Sequence, residues 1–526
     1  TKLTSKMAIG VKGRITDEKG EGLPGVSILV KGKTVGTTSN LDGTYSLDVP
    51  SSSDILVFSF VGYVTKEVIV GNKSPIDVQL DVDSKALDEL VVVGYGTVKK
   101  SDLTGSVSTL QVSDMVKAPV GNFADALAGR AAGVRVFSND GQPGGGVNIM
   151  IRGAGSLTQS TSPLYVVDDF PIENLDPSTL NPEDIESISI LKDASSASIY
   201  GSRAANGVVL IKTKRGKLGR PDISLSTSIG FQGQPQKMEL MSPYEFVKYQ
   251  QELNPTQATT LAYFRNGKTL EDYRNVEGIN FQDKLFRTGA IKMYNVSIRG
   301  GNDQTKYSVS GSGFDQRGVI INTGYSRYSG RVTLDQKLAK NINVGATANY
   351  TRVSNFGQRI NAAGGNSSPS TYTLFRTWVY RPVAPIGDEI NLIEEDADES
   401  AVNNSDFRVN PFIDMENQYQ YYITNTLDAN AYLNVDIVKG LTFRSNAGIR
   451  HLNRREEQFY NSKTSQGSPY NPLNVNGING SILNRFDYGF SNENTLTYKN
   501  SFGLHNVTAF GLFGVNGVDV SQNGYS

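Results

Sequence analysis

The segment "LDANAYLNVDI", residues 427–437, alternates strictly between two kinds of side chain. One side carries Leu427, Ala429, Ala431, Leu433, Val435 and Ile437, and the other carries Asp428, Asn430, Tyr432, Asn434 and Asp436. Because successive side chains of a strand point to opposite faces, this pattern predicts a β-strand with one apolar and one polar face. Residues 305–314, 326–337, 342–350, 441–450, 485–499 and 505–513 behave similarly. Such strands exceed the usual length of about five or six residues.

The connections between these strands alternate between short and long. Tight turns are expected at 339–341, 439–440 and 499–501, whereas 354–423 and 451–484 are long. Short turns at one end and long loops at the other are typical of an outer-membrane barrel. A soluble sandwich rarely has a loop of that length between adjacent strands. The pattern therefore predicts a transmembrane β-barrel from residue 221 onward.

Composition excludes several classes of function. The 526-residue chain has 51 Lys and Arg against 52 Asp and Glu, and this balance does not indicate a nucleic-acid partner. It has no cysteine and only two histidines, so thiol catalysis and multi-histidine metal sites are excluded. No cofactor or metal is predicted, although the acidic segment 388–400 leaves a hard-cation site open beside a solvated loop. We expect the protein not to be an enzyme.

Residues 9–82 are predicted to form a small β-sandwich. Short strands such as "GVSILVKG" and "DILVFSFVGY" alternate with turn signals such as "NLDG" and "GNKSP". About seven strands are expected in this span.

The next segment, "ALDELVVVGYGTVKKSDL" at residues 86–103, joins an apolar run to two glycines and two lysines. From its residues it is either a buried core strand or a strand left free to pair with another protein.

Residues 104–218 are predicted to be a mixed α/β domain. "NFADALAGRAAGV" predicts a short helix, and "VNIMIRG", "LYVVDDFPI", "IESISILK" and "GVVLIKTK" predict strands. The glycine-rich "GQPGGG" lacks the residues of a phosphate-binding loop, so a packed loop is expected there. A domain of this size does not fit inside a barrel of the nine or ten strands visible after residue 220. If this domain lies inside the barrel, the barrel needs about 20 or more strands, of which the chain contains the first part. The alternative is that the domain lies outside a small barrel.

These segments, taken in order, resemble the SusC-like (SusC/RagA) family of TonB-dependent outer-membrane transporters. The resemblance rests on "DELVVVGYGTVKK", "VNIMIRG", "LYVVDDFPI" and, most specifically, "DASSASIYGSRAANGVVLIKTK". It implies a mainly β fold. The implied parts are a transthyretin-type, carboxypeptidase-regulatory-like extension at 9–82, a TonB box and linker at 86–97, a plug domain at 104–218, and the first part of an antiparallel barrel of about 22 strands at 221–526.

The resemblance also implies site residues. The implied TonB-binding residues are Asp88, Glu89, Leu90, Val91, Val92, Val93, Gly94, Tyr95 and Gly96. Arg152 is expected to pair with carboxylates of the barrel wall, with a ligand contact as the alternative, because a buried charge needs a partner. The polar loop Ser156, Leu157, Thr158, Gln159 and Ser160 is either a substrate-facing plug loop or an ordinary plug loop.

The implied function is TonB-dependent import of a glycan or peptide through the outer membrane of a Gram-negative bacterium. The implied partners are TonB, a SusD-like lipoprotein lid, the substrate and outer-membrane lipid. An adhesin, structural barrel or receptor without energy-coupled transport is the alternative. The tyrosine-rich segment 418–425 fits sugar stacking, peptide binding and a membrane-interface girdle equally well, so the substrate stays open.

Overall fold

The computed structural model divides into two compact units, Thr1–Thr104 and Gly105–Ser526. It describes residues 9–17, 20–33, 35–60, 63–71, 74–81, 90–93, 96–99, 107–111, 120–138, 141–156, 158, 160–173, 175–253, 255, 263–264, 267–357, 373–383, 410–464, 466–468, 477–503 and 505–525.

The first unit contains the predicted sandwich, built from seven short strands in two sheets. These strands are β1 (Ile9–Thr16), β2 (Ser27–Val30), β3 (Gly36–Thr38), β4 (Thr44–Val49), β5 (Ile55–Ser59), β6 (Lys66–Ile69) and β7 (Val78–Gln79). One sheet has the order β4-β1-β7 and the other β3-β2-β5-β6. Their inward side chains, including Val11, Ile28 and Phe58, are fully buried and form one core. Burying alternate apolar side chains between two sheets stabilises such a domain.

The same unit contains a two-stranded antiparallel hairpin, β8 (Leu90–Val93) and β9 (Gly96–Lys99). It does not join either sandwich sheet within the described ranges.

The mixed domain at 104–218, named the plug from here on, has a five-stranded sheet of order β10-β15-β16-β13-β14 and a hairpin β11-β12. Its strands are β10 (Val107–Gln111), β11 (Val134–Ser138), β12 (Val147–Ile151), β13 (Leu164–Val167), β14 (Phe170–Ile172), β15 (Ile185–Leu191) and β16 (Val208–Thr213). Helix α1 (Phe123–Leu127) starts at Asn122, whose side chain accepts a hydrogen bond from the Asp125 amide. Helix α2 (Ala194–Ala197) continues into a 3₁₀ turn, Ser198–Ala204.

The expectation that "LYVVDDFPI" forms one strand is wrong. The chain reverses at Asp168 and Asp169, so β13 and β14 form a tight hairpin with Val167 paired to Phe170. The reversal was missed because Asp-Asp is not one of the turn pairs, such as Asn-Gly, that mark a two-residue hairpin.

The segment after residue 218 forms one nine-stranded antiparallel meander, named the long-strand sheet, in the order β17 to β25. Its strands are β17 (Gly219–Gln232), β18 (Gly289–Gly301), β19 (Thr305–Arg317), β20 (Gly324–Ala339), β21 (Ile342–Phe356), β22 (Gln418–Val438), β23 (Leu441–Tyr460), β24 (Asn479–Phe502) and β25 (His505–Tyr525). Every neighbouring pair is hydrogen-bonded along most of its length.

The alternation that predicted these strands is confirmed. In β22 the side chain of Asp428 is only 13% exposed, whereas Leu433 and Ile437 are exposed on the opposite face. In β21 Asn349 is buried and Tyr350 is exposed. The polar face thus lies inward, and the apolar face lies outward, as in a membrane barrel.

The connections of the sheet also alternate. β18–β19, β20–β21, β22–β23 and β24–β25 are joined by two or three residues, and this end is named the short-turn end. The turn expected at 499–501 lies instead between Phe502 and His505, because β24 continues to Phe502. The longer connections, between β17 and β18, β21 and β22, and β23 and β24, start and end at the opposite end of the sheet, named the long-connection end.

The long connections carry short helices that the sequence did not reveal: α3 (Pro243–Leu253), α4 (Phe281–Leu285), α5 (Thr373–Val379) and α6 (Pro411–Asn417). A buried ion pair between Arg376 and Asp414, 2.6 Å apart, joins α5 to α6. Within the described ranges, no helix is both long enough and apolar enough to cross a membrane.

Candidate functional site

The contact between the plug and the polar face of the long-strand sheet is built around the hairpin turn at Asp168. This carboxylate is buried, and it accepts hydrogen bonds from the Thr213 amide at 3.0 Å and the Thr213 hydroxyl at 2.6 Å. Arg331 of β20 donates to the same carboxylate and also lies 2.6 Å from the Thr213 hydroxyl. Burial alone would raise the pKa of Asp168, but Arg331, Arg215 and Thr213 together outweigh it and hold that pKa below its usual value. The carboxylate is therefore ionised and joins the plug to the sheet.

The next residue, Asp169, contacts a different strand. Its carboxylate accepts a hydrogen bond from Arg444 at 2.7 Å, and its carbonyl oxygen accepts one from the Asn446 side chain at 2.8 Å. Both partners lie on β23. The two aspartates thus bind two non-adjacent strands of the sheet.

A second group of charges joins the end of the plug to the sheet. Arg215, just after β16, donates to Asp335 of β20 at 2.6 Å, and the Tyr432 hydroxyl donates to the same carboxylate at 2.7 Å. The guanidinium carbon of Arg215 lies 5.7 Å from the centre of the Tyr432 ring, and that of Arg444 lies 4.7 Å from it. Since cations are attracted to an aromatic ring face, Tyr432 links the two groups of plug contacts.

Further contacts extend across the polar face. Arg203 of the plug pairs with Glu493 of β24 at 3.3 Å. The Thr351 hydroxyl of β21 donates to the carbonyl of Thr179 at 2.8 Å. A side-chain carbon at Gly448 would lie 2.3 Å from the Phe170 ring, so glycine there admits that ring against the sheet backbone.

The prediction that Arg152 pairs with the barrel wall is wrong. Its guanidinium bonds to Asp193, which lies in the plug itself, directly before α2. Arg152 is half exposed, so burial does not force it to find a partner on the sheet. The ion pairs between plug and sheet are made instead by Asp168, Asp169, Arg203 and Arg215.

The predicted substrate-facing loop is described only in part, because Leu157 and Gln159 lie outside the described residues. The Ser156 hydroxyl accepts a bond from the Thr158 amide, and Asn206 of the plug donates to the Ser160 carbonyl at 2.8 Å. These contacts hold the loop to the plug, and its role in substrate binding stays a prediction.

The glycine-rich loop reaches the long-connection end of the sheet. Gly144 has a positive φ of 65°, and a side-chain carbon there would lie 2.1 Å from Tyr325 and 2.2 Å from Asn355. This supports the predicted packed loop. A cavity of about 230 Å³ lies beside this loop. Its lining residues are Gly141, Gln142, Pro143, Pro235, Gln236, Gln282, Phe286, Val319, Ile320, Thr323, Leu374 and Trp378. This cavity could not be predicted from the sequence, because its lining comes from five separate segments of the chain.

The predicted TonB box and linker, residues 86–97, overlap the β8–β9 hairpin, whose strands are Leu90–Val93 and Gly96–Lys99. Leu90 pairs with Lys99 and Val93 with Gly96, so the backbone of this segment is extended. Each strand of the pair has a second edge with no backbone partner in the described parts of the chain. Asp88, Glu89, Gly94 and Tyr95 lie outside the described residues, and TonB binding stays a prediction.

No cluster of three or more metal-binding side chains occurs among the residues that the structure describes. The acidic segment 388–400 lies outside them.

Comparisons with known proteins agree with this geometry. The TonB-dependent Receptor Plug Domain family matches residues 99–208, and the CarboxypepD_reg-like domain family matches residues 11–92, which extends into the predicted TonB box. TonB-dependent receptor P3 of Formosa agariphila is 34% identical over 507 residues, covering 95% of this chain and 47% of that protein. TonB-dependent receptor SusC of Bacteroides thetaiotaomicron is 37% identical over 368 residues, covering 68% of this chain and 35% of that protein.

Solved structures show the same fold. The RagAB peptide importer in its open-open state matches with a TM-score of 0.64 and 25% identity, over 83% of this chain and 53% of that one. An N-terminal β-domain, a plug and a sheet of long strands with an apolar outer face together define a TonB-dependent outer-membrane receptor. Within that class, the chain belongs to the SusC-like family. It spans about half the length of the Formosa relatives that it matches, and these relatives are receptors rather than enzymes.

Proposed function

We propose that the protein imports a glycan or peptide across the outer membrane, driven by TonB. The observation that carries the proposal is the plug, which is joined to the polar face of the sheet by ion pairs rather than by an apolar core. Polar contacts can separate and re-form without exposing a large apolar surface to water. Such a plug suits a gate that is repeatedly displaced.

The hairpin at 90–99 is the segment on which another protein could pull to displace the plug. An extended segment with a free edge can add a strand from another protein through main-chain hydrogen bonds. The apolar run Leu90–Val93 is extended and lies before the plug in the chain. TonB would pair with this segment and pull, and the contacts at Asp168, Asp169, Arg203 and Arg215 would then separate.

Substrate would enter at the long-connection end, where the cavity joins the plug loop to the connections of the sheet. The lining of that cavity has apolar and amide side chains and no charged one. This composition favours an uncharged portion of the ligand, such as a sugar ring or an apolar amino-acid side chain. The likeness to SusC and to the RagAB peptide importer supports a glycan or a peptide as that ligand.

The same likeness supports a SusD-like lipoprotein as a lid over the long connections. The chain would act as the transport subunit in the outer membrane of a Gram-negative bacterium. Purification of the complex from native outer membrane, followed by mass spectrometry, would identify both the lid and the bound ligand.

Deletion of residues 88–96 tests the proposal. We expect uptake of the co-purified ligand to fall to the level of cells without the protein, while the amount of protein in the outer membrane stays the same. Uptake that persists at the normal rate would contradict energy-coupled import. Deletion of residues 1–8, before the first strand of the sandwich, serves as the control, and it should preserve uptake.

A further inference from the structure

The turn at the centre of the plug contact has an unusual backbone conformation. Asp168 and Asp169 have φ values of 49° and 67°, so two successive non-glycine residues lie in the left-handed region. Of the two common two-residue hairpin turns, type I′ has this conformation, and glycine is strongly preferred at its second position. A residue with a side chain there costs conformational free energy that glycine would not.

The two aspartates differ in what offsets this cost. Asp168 is bonded to Thr213 within the plug as well as to Arg331 of the sheet. The side chain of Asp169, by contrast, bonds to Arg444 of β23, and its carbonyl bonds to Asn446 of the same strand. The sheet, rather than the plug, therefore supplies the hydrogen bonds that hold the left-handed residue Asp169.

We infer that Asp169 is a positioning residue: it seats the plug through a left-handed residue whose side-chain and carbonyl hydrogen bonds come from the sheet. While the plug is seated, Arg444 and Asn446 offset the strain. Once a pull separates the turn from β23, the compensation is lost and the hairpin relaxes. Separation of this one contact then favours further separation. The strain at position 169 thus lowers the work needed to displace the plug, and the bond from Arg444 opposes it until the plug is pulled. This inference rests on the proposed function, because it assigns Asp169 a role in transport.

Two substitutions separate strain from charge. Asp169→Gly and Asp169→Ala both remove the carboxylate that bonds to Arg444, and they differ by one methyl group. Alanine keeps the left-handed strain, whereas glycine removes it. Hydrogen exchange of the β13–β14 amides in the purified full chain would measure how often the hairpin opens.

We expect Asp169→Ala to open at least about fivefold more often than Asp169→Gly. We also expect Arg444→Met to increase opening in the wild-type background and to have no further effect in Asp169→Gly. Equal opening of the alanine and glycine variants, within about twofold, would overturn the inference.

The maximal rate of ligand uptake is a second measurement, and it would not change if Asp169 had a purely structural role. At limiting TonB, Asp169→Ala should raise the maximal uptake rate per molecule in the membrane without changing the half-saturating ligand concentration. The matched control is Lys31→Met, in an exposed ion pair with Glu67 of the N-terminal sandwich, and it should change neither quantity. A change in half-saturation alone would also overturn the inference. Absence of uptake by the wild-type protein would contradict the proposed function, while the exchange comparison would still decide whether the turn is strained.

Discussion

Replacing Arg331 with methionine should loosen the plug by a large and measurable amount. Arg331 and Asp168 have side-chain exposures of only 5% and 3%, so the pair is shielded from solvent screening. Removing one partner of such a pair leaves a buried charge, which costs about 3–5 kcal/mol. Thr213 still bonds to Asp168 in the variant, so we expect the lower end, about 3 kcal/mol.

The assay is native-state hydrogen exchange of β13 and β16 in the purified protein. A loss of about 3 kcal/mol corresponds to roughly a 100-fold rise in the open fraction, because 1.4 kcal/mol is tenfold. The matched control is Lys237→Met, whose pair with Asp283 is 39% and 51% exposed and so contributes at most about 1 kcal/mol. A double-mutant cycle with Asp168→Asn would isolate the coupling between the two residues. If Arg331→Met opened the plug no more than the control, the reasoning from burial would be refuted.

Three further predictions concern the same contact. Because the pKa of Asp168 lies below its usual value, about 3.9 for a free carboxyl group, the stability that it contributes is present above pH 4 and is lost only as pH falls through the lowered value. Exchange of β13 should thus show an acid-dependent rise below pH 4 that is smaller in Asp168→Asn, where the other three carboxylate pairs remain; a rise beginning near pH 6 would contradict this. Gly448→Ala should destabilise plug seating by about 1–3 kcal/mol, since its new carbon meets the Phe170 ring, and Phe170→Ala should suppress the effect in the same exchange assay. Gly144→Ala should make the glycine-rich loop more susceptible to limited proteolysis, because it combines a positive φ with a clash against Tyr325; unchanged cleavage would argue against the packed loop.

The strands could be predicted from sequence because their signal is local. A period of two is visible within ten residues, as in 427–437, and it predicts both the strand and its inward face. The sandwich was predictable for a similar reason, since its turn signals separate short apolar runs. The helices in the long connections could not be predicted, because they are short and depend on tertiary packing: Leu285, Leu374 and Met415, from three of these helices, meet in one apolar cluster.

The partners of charged residues could not be predicted, because they depend on three-dimensional register. Asp168 meets Arg331, which lies 163 positions further along the chain, only when β20 has its observed register in the sheet. The predicted pairing of Arg152 with the barrel wall was wrong because its partner, Asp193, lies within the plug, 41 positions further along the chain. The left-handed turn was hidden as well, since its two aspartates resemble an ordinary polar interruption of a strand.

The central claim is that TonB captures the segment 88–96 during transport, and an in-cell crosslink tests it most directly. A photo-reactive amino acid would replace Val92 in one variant and the exposed Lys31 of the sandwich in a control variant. We predict a crosslink to TonB from position 92 that increases when the ligand is added, and none from position 31. No TonB crosslink from position 92, or equal crosslinking from both positions, would contradict the claim.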